Sequence, residues 1–128
     1  MIGQWDPSLT NESTSPTASF LQTLAGYCEQ PQAADEVNLQ RASQYLALSE
    51  AEWQPSFADM SDTDLINLAF FYVRAESQLS GFEAGARNPA IWVFRYLRSA
   101  GRKPEKDIVK ALKAETDNRF IPYGNALL

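Results

Sequence analysis

A chain of 128 residues, 45% of them hydrophobic, has material for one compact domain that buries about two-thirds of the surface its unfolded chain exposes. Its 16 acidic residues outnumber its 11 basic ones for a net charge of −5, and it holds no histidine and a single cysteine, Cys28. Ser-His-Asp and Cys-His catalysis, histidine-bound metals, thiolate-held zinc and an internal disulfide are thereby excluded within one chain.

With one thiol, a reducing cytoplasm is the expected compartment, and Cys28, beside Leu24 and Tyr27, is expected as a small buried hydrophobe. The opening "MIGQWDPSLTNESTSPT" lacks the basic and apolar regions of an export signal. The most apolar run, Leu65 to Val73, has nine residues, against the roughly 18 to 20 that cross a bilayer. No membrane partner is expected.

Residues 1 to 16 are rich in Ser, Thr and Pro and read as a mobile arm, with Trp5 and Ile2 as residues that could dock it onto the body or a partner. Residues 17 to 128 read as a single helical domain. Phe20, Leu21, Leu24, Tyr27 and Cys28 recur at spacings of three and four, the pattern of an amphipathic helix, which Pro31 ends. A second helix is predicted from Ala34 to Leu48, with Asp35 and Glu36 in its first turn and Val37, Leu39, Ala42, Tyr45, Leu46 and Leu48 as its apolar positions.

In "SEAEWQPSF", Ser49 and Glu52 have capping-box spacing, but Pro55 stops anything longer than about one turn, so a short helix or turn carrying Trp53 and Phe57 is predicted. The next helix is the predicted centre of the fold. Ser61 can cap it, Gly81 marks its stop, and the nearly unbroken apolar run from Leu65 to Val73 requires neighbours on every side. Asn88 followed by Pro89 starts another helix, with Gly101 just past its end. Pro104 opens a last one, with Ile108, Val109 and Leu112 inward, and the pair is expected as a hairpin. The end, Phe120 to Tyr123, reads as an extended apolar tail with a turn at Gly124, packed on its own body or on a neighbouring subunit. The fold class is therefore all-α: a single-domain, bundle-like array of about five helices.

Charge divides along the chain. Residues 1 to 86 hold 12 acidic and 2 basic residues, and residues 87 to 128 hold 4 acidic and 9 basic. Such a split serves attraction within one fold, association between copies, or binding of an anionic partner. The basic residues have helical phase: Arg95, Arg98 and Arg102 follow one helix and its exit, and Lys106, Lys110 and Lys113 the next. These six residues are the candidate interaction surface.

A DNA-reading helix pair would place a buried apolar residue about six positions after the turn glycine. From Gly101 that count reaches Asp107, and the acidity of the whole chain opposes phosphate binding elsewhere. "DMSDTD" offers Asp59, Asp62 and Asp64 but lacks the glycine and distal glutamate of a calcium loop, so these acids read as helix capping. Arg74 and Glu76 interrupt the apolar helix and are expected in an ion pair or at its edge. With no catalytic constellation, the expected function is non-enzymatic, without cofactor, and exercised through a protein partner or the chain's own copies. Nucleic-acid binding through the basic hairpin is the alternative.

Overall fold

The computed structural model describes residues 16–121. The predicted arm before Pro16 and the tail positions from 122 onward, with Trp5 and Tyr123, lie outside the described residues. Six α-helices are present among the described residues, and no strand: α1 Ala18–Ala25, α2 Glu36–Gln44, α3 Glu50–Phe57, α4 Asp62–Gln78, α5 Pro89–Ser99 and α6 Lys106–Ala114. Single 3-10 turns at Pro31–Ala33, Tyr45–Ala47 and Gly85–Arg87 join them.

Local chemistry sets most of the starts. Thr17 Oγ1 accepts from Phe20 N at 3.2 Å at the head of α1, and Ser61 Oγ accepts from Asp64 N at 3.1 Å at the head of α4. Asn88 Oδ1 accepts from Ala90 N at 2.9 Å before Pro89, the expected cap and first position of α5. That helix ends in a Schellman motif: Gly101 sits at φ 77°, Arg102 N bonds Leu97 O at 2.8 Å, and Gly101 N bonds Arg98 O at 3.2 Å.

Where a short helix or turn is expected, α3 runs eight residues, past the limit of about one turn that Pro55 implies. Pro55 lies inside it, where it lacks the N–H that would bond the Ala51 carbonyl and crowds that carbonyl with its ring. The rest of the helix is held elsewhere. Glu52 Oε1 accepts from both Ser49 N and Ser49 Oγ, Trp53 and Phe57 are buried one turn apart, and Ser56 Oγ donates to the carbonyl of Pro16. Pro16 itself is buried, so ordered packing reaches the last position of the predicted arm.

Helix α2 is shorter than predicted, beginning at Glu36 and ending at Gln44. The register that buries Ala42 leaves Val37 five positions back, about 140° round the helix, facing solvent with 69% of its surface exposed. Helix α4 is central as expected: α1 and α5 pack on it, α3 packs on α5, and Leu65, Leu68, Ala69, Phe71, Tyr72, Val73 and Ala75 are buried. Its last residue is Gln78, and Gly81, at φ 87°, belongs to the turn beyond. Helix α5 therefore takes its main neighbours from α4 and α3, and the tight α5–α6 hairpin expected from sequence is not its principal packing. Helix α6 buries only Leu112 and opens at Lys106, two residues after a buried Pro104. After it, Ile121 N bonds Asn118 O at 3.3 Å in a turn where an extended segment was expected, and Ile121 is buried against the core.

Tyr72 crosses the centre of the core and donates its hydroxyl to the Ala42 carbonyl at 2.9 Å. Burial, with a smaller contribution from Tyr45, holds its phenol well above the ordinary value of 10.0. In the unfolded chain the phenol ionises near about 10. Stability is then fully present below that pH and falls as pH rises toward the folded value. Alkaline titration monitored by circular dichroism is expected to show unfolding above about pH 10, with a shallower slope in Tyr72→Phe. Tyr45, also raised by burial against the opposing pull of Arg41, keeps some slope in that variant. A Tyr72→Phe curve of unchanged steepness would contradict this assignment.

Candidate functional site

The basic residues separate into two populations. Arginines stitch the fold: Arg41 lies over Phe20, Arg87 Nη2 donates to Ala47 O at 2.8 Å, and Arg74 Nη1 donates to Cys28 O at 2.6 Å. Arg74 Nε also pairs with Glu115 Oε1 at 3.1 Å, tying α4 to the end of α6 and giving the ion pair expected for this residue. Arg95 Nη1 meets Glu50 Oε1 at 3.0 Å and its guanidinium lies 5.6 Å from the Trp92 ring. Arg102 Nε is 2.8 Å from Asp62 Oδ1, near enough for charge pairing though off the angle of a hydrogen bond, and stacks 5.5 Å from Tyr96. Part of the charge split is thus used inside the fold, joining Glu50 and Asp62 of the acidic half to arginines of the basic half.

Lysines do something else. The chain has four, Lys103, Lys106, Lys110 and Lys113, and all line one open groove of about 280 Å³. Its floor is Pro104 and Val109, the latter half-buried on α6. All four side chains are exposed, and no ion pair engages any of them among the described residues. The structure therefore brings together Lys106, Lys110 and Lys113 of the predicted surface, holds Arg95 and Arg102 in internal pairs, and leaves Arg98 exposed on α5 outside the groove. Lys103, Pro104 and Val109 were missed. Lys103 stands before Pro104, outside the helix whose phase marks Lys106, Lys110 and Lys113.

Four ammonium groups around an apolar floor suit an acidic surface that also offers an apolar side chain. Lysine is a flexible, hydrated point charge without the planar fork that enforces bidentate phosphate geometry. Asp107, where a DNA-reading helix needs a buried residue, is exposed.

Glu76 forms a different cluster at the opposite end of α4 from Ser61. Its Oε2 accepts from Ala84 N at 2.8 Å and Gly85 N at 2.9 Å. Its Oε1 accepts from Asn118 Nδ2 at 3.0 Å and Asn88 Nδ2 at 3.3 Å. Every donor is neutral, so this carboxylate is a structural node instead of the edge ion pair expected. Cys28 is half-buried against the core, and burial pushes its thiol up, away from the reactive thiolate. Trp53 and Trp92 are core residues, and Tyr96 is half-buried.

Among the described residues, no group of acids and cysteine could hold a metal ion, and no helix is long and apolar enough to cross a membrane. The chain matches no protein-family model, no curated protein and no solved structure.

Proposed function

We propose that this is a small non-enzymatic helical protein of the cytoplasm that works by binding an acidic protein surface in the lysine groove of α6. The observation that supports this reading is the gathering of all four lysines around Pro104 and Val109 with no acid paired to them among the described residues. Nucleic-acid binding through the six predicted residues is disfavoured by Arg95 and Arg102, which would have to leave Glu50 and Asp62 to contact phosphate.

The test is a heteronuclear NMR titration with a glutamate-rich peptide containing one valine, run beside a DNA duplex of equal charge. The peptide is expected to shift the amides of residues 103–113, with affinity falling about tenfold between about 0.05 and 0.5 M salt. Lys106→Glu with Lys110→Glu is expected to remove the shifts. Stronger shifts from the duplex would replace this reading with the nucleic-acid one, and silence from both ligands would end it.

A further inference from the structure

We infer that the occupant of the lysine groove is a second copy of this chain, entering with the start of α2; the inference rests on the groove being a binding surface. Val37 is the large hydrophobic residue left exposed among the described residues, at 69%. Directly before it stand Asp35 and Glu36, both exposed and neither in an ion pair among the described residues. Asp35 occupies the N-cap of α2, yet its side chain makes no capping hydrogen bond, so its carboxylate is not used by its own helix.

The two surfaces are complementary in kind. One is an apolar knob beside two carboxylates, and the other an apolar floor, Pro104 and Val109, inside four ammonium groups. Val37 is solvated, so it does not sit in the groove of its own copy. Seating it in a neighbour buries the valine on Val109 while Asp35 and Glu36 come among the lysines. Two copies can exchange knobs reciprocally in a closed dimer, or engage head to tail, when each added copy leaves one free knob and one free groove and association proceeds to rings or open chains. A contact this small belongs to the weak end of protein interfaces, strengthened by low salt and high concentration.

Sedimentation velocity of the full chain over a concentration series at low salt tests this. Wild type is expected to associate, as closed dimers or larger oligomers, and to dissociate when salt is raised. Val37→Ser with Glu36→Gln disables the knob, Lys106→Gln with Lys110→Gln disables the groove, and each is expected to weaken association about tenfold or more. All four positions are exposed, so both variants should retain the wild-type circular dichroism. Mixed together, the two variants keep one working knob and one working groove between them and are expected to stop at a 1:1 dimer.

Wild type that stays monomeric up to about 1 mM overturns the inference. So does oligomerisation that neither variant reduces, or a mixture that grows past dimers. If the wild type is monomeric while the acidic peptide still shifts residues 103–113, self-association falls and the binding reading stands. If the peptide is silent as well, both fall.

Discussion

Replacing Trp53 with alanine is expected to cost about 3–5 kcal/mol of folding stability, a large fraction of the roughly 5–15 kcal/mol that holds a domain of this size. The side chain has no solvent exposure and stands where α3, α4 and the turn after α2 meet. Its ring is edge-on to Tyr45 at 6.0 Å and to Tyr72 at 5.6 Å, and tilted on Phe57 at 6.2 Å. Its indole N–H donates to the Tyr45 carbonyl at 3.2 Å. Alanine would leave a cavity flanked by three aromatic rings and an acceptor without its donor, and neither defect relaxes easily among rings packed edge to face. Trp53→Phe keeps most of the ring contact and loses the hydrogen bond, so about 1–2 kcal/mol is expected. Urea unfolding with both variants checks the pair; a Trp53→Ala loss below about 1 kcal/mol would mean this corner of the core is looser than its burial implies.

What could be read from sequence was what neighbouring residues decide among themselves. Ser61, the Asn88–Pro89 pair and Gly101 mark helix ends because capping chemistry spans only a few residues, and each does so in the structure. The apolar run of α4 implied a surrounded helix because no single face could account for it, and α1 and α5 supply the neighbours. The failures have one cause, which is that their answers lie far along the chain. Pro55 argued against α3 locally, while the compensation comes from the burial of Trp53 and Phe57 and from a bond of Ser56 to Pro16, forty positions away. Val37 looked like a core position because helical phase depends on where the helix starts and which side faces its neighbours. The arginine stripe was correctly phased on α5, but phase says nothing of Glu50 and Asp62 arriving from α3 and α4 to meet Arg95 and Arg102. In the candidate site, Lys106, Lys110 and Lys113 were legible as a helical face, and Lys103 was not, because it projects from the turn before α6.

Loss of the Glu76 carboxylate is expected to release the C-terminal part of the fold before the core. Four N–H donors converge on its two oxygens, from the 84–85 turn, the N-cap of α5 and Asn118 after α6. A carboxylate accepts at both oxygens, and these bonds to an ionised acceptor exceed neutral ones. Glu76→Gln turns one acceptor into a donor facing donors, so two contacts become repulsive, and about 2–3 kcal/mol of destabilisation is expected. Glu76→Ala is expected to cost about 2–4 kcal/mol, limited by water entering the open groove of about 410 Å³ beside Gly85 and Asn118. The consequence reaches the lysine groove. Helix α6 buries only Leu112, and the chain just past its end is held by Glu115 on Arg74 and by Asn118 on Glu76. Removing one of these two ties should shift α6 toward local opening while Leu65 to Val73 stay closed. Hydrogen exchange on Glu76→Gln is therefore expected to show amides of residues 106–114 losing protection by about tenfold or more, with α4 amides changing only by the global loss. Uniform loss across both helices would instead make Glu76 an ordinary part of the core, and α6 would then be no more separable from the body than α5 is.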